Sequence, residues 1–105
     1  NIILQPNKLP YTKNIYWVFG IVIKNDSKIK LSQVIKKLSA KNIGTRPFFW
    51  PMHKQDAFIK KSYFKNVSLP NSEFISKNGF YIPSGLGLNT KELRYIKDTV
   101  ISILR

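Results

Sequence analysis

Residue types able to do chemistry gather in one run, Gly44-Thr-Arg-Pro-Phe-Phe-Trp-Pro-Met-His-Lys-Gln55. Arg46 can grip a phosphate with paired hydrogen bonds. His53, the sole histidine, can donate to an anionic oxygen or orient a neighbour. Phe48, Phe49 and Trp50 offer ring faces for stacking. Pro47 and Pro51 stiffen the segment, so its polar groups lose less freedom on binding. The same pattern also fits a structural use, with the aromatics in a core and Arg46 on the surface at a strand end. The residues alone leave both open.

Other chemistries find little support. The only acid near His53 in sequence is Asp56, and that spacing makes no Ser-His-Asp arrangement. One histidine and five scattered acids, with no cysteine, do not make a zinc set, and no metal is expected. Asp26, Asp56, Glu73, Glu92 and Asp98 form no evident pair for glycoside cleavage. Neither a P-loop nor a dinucleotide-binding glycine pattern is present. Gly85-Leu-Gly87 precedes a helical pattern and could face an anion, but it reads more simply as a turn. No catalytic residue is assigned.

The elements that must position the Gly44–Gln55 run are legible on either side of it. The stretch from Asn1 to Lys13, with Pro6 and Pro10, reads as an extended lead-in. Asn14 to Ile23 is β-branched, aromatic and nearly continuous in apolarity, the pattern of a central strand or one covered on both faces. Asn25, Asp26 and Ser27 mark a turn. Leu31, Val34, Ile35 and Leu38 share one helical face, and Asn42 or Gly44 can supply the left-handed residue that ends that helix. A strand from Thr45 to Phe49 is expected, then a long loop from Trp50 to Leu69 with a short turn near Asp56 to Lys61; loops of such length are usually functional or mobile. Asn71 is the expected cap of a helix from Ser72 to Lys77, closed by Gly79. Phe80 to Ile82 reads as a strand and Pro83 to Gly87 as a turn. Asn89 with Glu92 forms a capping box, before Leu93, Ile96, Val100 and Leu104 line a terminal helix. The expected fold is α+β: a small, mostly antiparallel sheet with the helices around Leu31–Lys41 and Thr90–Leu104 packed on one face.

A chain of 105 residues, 43% hydrophobic and 13% aromatic, supports one domain with a small core. It opens on Asn1 rather than Met, from which a processed, trimmed or partial chain is expected. The longest apolar run, Ile15 to Ile23, falls short of the roughly 18 residues of a membrane span, and no signal-peptide pattern is seen. The absence of cysteine rules out a disulfide framework and fits a cytoplasmic location. Net charge is +13 with a pI near 10.2, which raises nucleic acid as a partner. Against it, only Arg46, Arg94 and Arg105 are arginines, and Lys8, Lys24, Lys36, Lys54, Lys77 and Lys97 fall in different elements. Abundant Lys, Asn and Ile suggest compositional bias, and a solvated basic surface follows without a nucleic-acid or membrane partner.

Thr45-Arg-Pro-Phe-Phe-Trp-Pro-Met-His-Lys-Gln55 resembles the C-terminal domain motif of the DegT-type sugar-nucleotide aminotransferases, fold-type I pyridoxal-phosphate enzymes. The resemblance extends over nearly the whole chain. Tyr16-Trp-Val-Phe19 is similar to the family's aromatic strand, and Leu38 to Gly44 to the helix end before the motif. Pro70-Asn-Ser-Glu-Phe-Ile-Ser76 resembles its short helix, with Ser72 where the family often has Ala. Ile82-Pro-Ser-Gly-Leu-Gly-Leu-Asn-Thr90 resembles its turn into the last helix. The Arg-Pro-Phe-Phe form is most similar to perosamine synthetases, which aminate a GDP-linked 4-keto-6-deoxy sugar.

The resemblance implies that residues 1–105 are the small C-terminal domain of a longer enzyme whose large, cofactor-binding domain lies elsewhere. It implies a lysine on that large domain holding pyridoxal phosphate as a Schiff base, an amino donor, usually glutamate, and a nucleotide-linked keto-deoxy sugar as acceptor, for polysaccharide or lipopolysaccharide synthesis. It further implies a homodimer when full length, and no cofactor bound to, or activity of, these residues alone, because no lysine here matches the Schiff-base position. It carries over Arg46, Phe48, Trp50, His53 and Gln55 as substrate-side residues. Two rivals stand beside this reading. One is a dehydratase of the same fold, with His in place of the Schiff-base lysine. The other is a free-standing basic nucleic-acid-binding module, which salt-dependent binding of random duplex would reveal.

Overall fold

The computed structural model describes residues 1–5 and 10–105; Pro6 of the expected lead-in and Lys8 of the scattered lysines lie outside the described residues. The elements are β1 (Ile2–Leu4), β2 (Phe19–Ile23), α1 (Leu31–Ser39), β3 (Arg46–Pro47), α2 (Asp56–Lys60), α3 (Pro70–Asn78), β4 (Gly79–Ile82) and α4 (Thr90–Leu104), with a single 3-10 turn at Met52–Lys54 before α2. The strands form one sheet in the order β1-β2-β4-β3, every pair antiparallel. This is the expected α+β arrangement.

Strand alternation divides the sheet. On one face Ile21 and Ile23 of β2 and Phe80 of β4 meet Val34 and Leu38 of α1, and Ile96, Val100 and Leu104 of α4. Phe80, Ile21, Leu38 and Val34 lose essentially all solvent contact, a contribution of roughly 1.5–3 kcal/mol per large side chain. Both amphipathic stripes therefore cover the face assigned to them. The other face carries Gly20 and Val22 of β2 and Gly79 and Tyr81 of β4. There α3 lies against β2 and β4, with Phe74 and Ile75 bordering an open cleft beside Gly20, Val22 and Phe48.

Local sequence explains the boundaries. β2 is central, as its apolarity indicates, but it starts at Phe19 instead of the expected Asn14. The Asn14 side chain accepts the Tyr16 N–H at 2.8 Å, and Tyr16 has φ 50°; this local turn is incompatible with a continued strand. α1 ends at Asn42, whose φ is 56°. The Ile43 N–H donates to Leu38 O at 3.0 Å and the Asn42 N–H to Ser39 O at 2.9 Å, the Schellman pattern, with Ile43 folding back onto Leu38 in the core. α4 opens as expected: Asn89 Oδ1 accepts from the Lys91 and Glu92 N–H groups, and Glu92 Oε2 accepts the Asn89 N–H at 2.8 Å.

Three expectations change. β1, inside the lead-in, is a true edge strand paired with β2. The helix expected from Ser72 begins at Pro70 with Leu69 as its N-cap, because proline at the first helical position gives up an N–H that has no partner there anyway. The strand expected over 45–49 contains only Arg46 and Pro47; the next residue still donates its N–H to Gly79 O but turns its ring onto the sheet.

Gly79 closes α3 with an extended φ of −102°, so backbone freedom does not explain it. Close approach does. A Cβ at Gly79 would lie 2.5 Å from both Ile75 O and Phe48 Cδ2, and one at Gly20 would lie 2.8 Å from Phe48 Cε2. Gly79→Ala is expected to destabilise the fold by about 1–3 kcal/mol, whereas Gly44→Ala, whose added methyl meets nothing within 4 Å, should stay within about 0.5 kcal/mol. Denaturant unfolding of the two variants side by side tests this; equal stabilities would refute it.

Candidate functional site

The Arg46–Gln55 segment is held at three places. At its start, Arg46 and Pro47 pair with Tyr81 and Phe80, and the Phe48 N–H donates to Gly79 O at 3.3 Å. In its middle, the half-buried Phe48 ring lies over Gly20 and Gly79 and packs on Tyr81, centroids 4.5 Å apart. At its end, the buried His53 places Nε2 2.9 Å from Glu73 Oε1 on α3. The Trp50 indole N–H donates to Lys54 O at 2.8 Å and clasps the 3-10 turn.

The five residues singled out in the sequence thus fall into different environments. Arg46 is exposed at the sheet edge, and its side chain makes no hydrogen bond or ion pair among the described residues. As Tyr81's antiparallel partner it sits on the outer face. Trp50, four residues on, is also exposed. Phe48 is occupied by the two glycines. His53 is turned inward and engaged with Glu73. Gln55 is half-buried, its amide 3.8 Å from Met52 Sδ, and its carbonyl accepts the Phe58 and Ile59 N–H groups that open α2. The structure brings Arg46 to the face of Tyr81, on which the Phe48 and Phe49 rings pack, and gives His53 to the join with α3.

Glu73, Tyr81 and Trp17 were missed by sequence reasoning. Glu73 is twenty residues from His53, beyond any local pattern, and its helix shows no strong apolar stripe. Trp17 and Phe49 stack with centroids 6.1 Å apart, and Phe49 meets the Tyr81 ring edge-on at 5.3 Å. Only the high aromatic content hinted at such a group. Burial pushes the Tyr81 phenol up from its ordinary range, opposed by a hydrogen bond to the Phe49 backbone. The His53 hydrogen bond holds the Glu73 carboxyl below its usual 4.5; partial desolvation opposes this, and the Lys54 ammonium, 3.5 Å away, assists it.

No group of three or more potential metal ligands occurs among the described residues, nor is any helix among them long and apolar enough to cross a membrane. Every described lysine is exposed. Lys97 borders an apolar cavity of about 600 Å³ between the sheet and α4, but its ammonium is paired with Asp98 at 2.9 Å and the walls are almost wholly apolar, so these residues do not by themselves fit the phosphate and pyridine nitrogen of pyridoxal phosphate.

Residues 2–101 match the model of the DegT/DnrJ/EryC1/StrS aminotransferase family. An uncharacterized protein of Methanocaldococcus jannaschii is 26% identical over 82 residues, which cover 77% of this chain and 21% of that protein. A Streptococcus pneumoniae protein assigned as a sugar aminotransferase, solved in its PMP form, superposes with a TM-score of 0.78 at 18% identity, covering 97% of this chain and 25% of its own. The Escherichia coli GDP-4-keto-6-deoxy-D-mannose-3-dehydratase with bound hydrated PLP superposes with a TM-score of 0.73 at 20% identity, covering 94% and 25%. The chain therefore spans between a fifth and a quarter of the length of these relatives.

The His53–Glu73 pair has a pH signature. A carboxyl whose folded-state pKa is lowered stabilises the fold above its ordinary pKa and loses that contribution as pH falls through the lowered value. Glu73→Gln should lower the melting temperature at neutral pH, and the gap from the parent protein should close as pH drops below 4.5. Melting curves at about pH 7 and about pH 3 check this; a gap of constant size would refute it.

Proposed function

Since the chain belongs to the DegT/DnrJ/EryC1/StrS aminotransferase family, we propose that it is the small C-terminal domain of a pyridoxal-phosphate enzyme that passes an amino group, with glutamate as donor, to a keto-deoxy sugar carried on a nucleoside diphosphate. The acceptor is of the perosamine synthetase type, and the product serves polysaccharide or lipopolysaccharide synthesis. The same reading carries a homodimer of the full-length protein and a cytoplasmic location.

The observation that carries the substrate class is Arg46. Its guanidinium is exposed, has no acidic partner among the described residues, and shares the outer face with exposed aromatic rings. A diphosphate supplies the two-pronged anionic partner such a group favours, and the rings supply surface for the rest of a nucleotide sugar. In this reading Arg46 and Trp50 face substrate, while Phe48, His53 and Gln55 hold the segment in place. The cofactor's seat belongs to the portion of the enzyme outside these residues.

A dehydratase is the second reading, favoured by the likeness to the Escherichia coli enzyme. Incubating the full-length protein with pyridoxal phosphate, glutamate and GDP-4-keto-6-deoxymannose separates the two by product mass: nitrogen in the sugar supports the aminotransferase, loss of a hydroxyl without nitrogen supports the dehydratase, and an unaltered sugar argues against that acceptor.

Arg46→Ala in the full-length enzyme is expected to weaken sugar-nucleotide binding by roughly ten- to a hundredfold, since a hydrogen bond to a charged group contributes about 1.5–3 kcal/mol, with little change in melting temperature. Steady-state kinetics beside a thermal melt tests it. Unchanged KM and kcat with lowered stability would assign Arg46 to the fold instead. The 105-residue chain alone should transfer no amino group and should take up pyridoxal phosphate only at scattered lysines. Borohydride trapping and peptide mapping would overturn this by finding one fully labelled lysine.

A further inference from the structure

The outer face carries a second feature that the motif did not disclose. Trp17 is 72% exposed and Phe49 62% exposed, yet their rings stack within 24° of parallel. They come from different parts of the chain, the approach to β2 and the segment after β3. Each is held from behind. Phe49 rests against the buried Tyr81, and the Trp17 carbonyl accepts a hydrogen bond from Ser84 Oγ at 3.2 Å. Exposing two large rings is unfavourable for folding, and a contiguous exposed apolar patch commonly marks a binding site. Arg46 lies on the same face as Tyr81, one residue across the ladder. The surface thus combines a preformed aromatic stack, open on its outer face, with a guanidinium that has no partner among the described residues.

We propose that the Trp17–Phe49 shelf binds the nucleobase of the nucleotide sugar, stacked on the open ring face, with its diphosphate directed toward Arg46. The inference rests on the nucleotide-sugar reading above and adds the part of the ligand that reading left unplaced. A planar base can extend the Trp17–Phe49 stack from its open ring face, and base stacking needs no particular hydrogen-bond pattern. The stacked pair is ordered before ligand arrives, so little side-chain freedom is lost on binding.

The test is calorimetric titration of the full-length protein with GDP, UDP, dTDP and inorganic pyrophosphate. Trp17→Leu and Phe49→Leu, which keep apolar bulk but lose the ring, should weaken the preferred nucleoside diphosphate by roughly ten- to a hundredfold and leave pyrophosphate unchanged; Trp17→Tyr should restore most of the loss. If the Leu variants bind nucleoside diphosphates as tightly as the parent does, the shelf proposal fails while the nucleotide-sugar reading stands. The same holds if their melting temperature falls with affinity intact, which would make the shelf a docking face for the rest of the enzyme. If the parent protein binds none of the three nucleoside diphosphates, both fail.

Discussion

The outer face of this domain is organised by one close approach, the Phe48 ring laid across the bare backbone of Gly20 and Gly79. Neighbouring strands present no Cβ at those two points, and the ring fills the space. The consequence spreads outward. Phe48 keeps its N–H on Gly79 O of β4 while its ring lies over the two glycines, and β3 goes no further than Pro47. Tyr81 is pressed between Phe48 and Phe49, which sets the angle of Phe49. The chain past Phe49 is thereby aimed away from the sheet and into the 3-10 turn. The constraint is one of direct contact, ring on backbone and ring on ring.

The two faces of the sheet use different physics. The inner face is an aliphatic core shared with two amphipathic helices, where burial area decides stability. The outer face is aromatic and polar, and specific geometry holds it: a ring over glycine, a ring edge against a ring, an indole on a carbonyl, a histidine on a carboxylate. His53 illustrates the division. A lone histidine in a motif invites a substrate role, but here its Nε2 is engaged by Glu73 and its ring is out of solvent. The work left to it is to fix α3 to the segment that carries Arg46 and Trp50. The lysines that give the chain its charge of +13 stay exposed throughout the described residues; Lys54, beside Glu73 and under the Trp50 indole, takes part in this framework.

What could be read from sequence followed the range of the forces involved. α1 and α4 were legible because helix periodicity and caps are local: Leu31, Val34, Ile35 and Leu38 mark a stripe, and Asn89 with Glu92 marks a start. β4 and the central place of β2 were legible from apolar runs. Element ends were not, where a short-range turn such as Asn14–Tyr16 overrode strand propensity or where Pro70 opened a helix one residue before its expected cap at Asn71. β1 was hidden because three apolar residues carry too little pattern to separate a strand from a lead-in. The site was legible as a motif but not as a geometry. Arg46 and Trp50 were singled out by residue type, whereas Glu73, Tyr81 and Trp17 enter through contacts between residues distant in sequence, which no spacing rule reports. The resemblance to an aminotransferase family, carried by Thr45–Gln55 and four further segments, supplied the family; the residues alone had left two uses of that segment open.

Pro47 has a role beyond ending a ladder. It stands on the outermost strand of the sheet, where an amide proton facing solvent would invite a strand from another molecule. Proline offers none, and a two-residue edge gives an incoming chain almost nothing to register against. Recruitment of foreign strands at this border is blocked by covalent chemistry rather than by charge. A domain with an exposed aromatic surface beside that border can therefore stay open to a planar ligand without becoming a seed for edge-to-edge polymerisation.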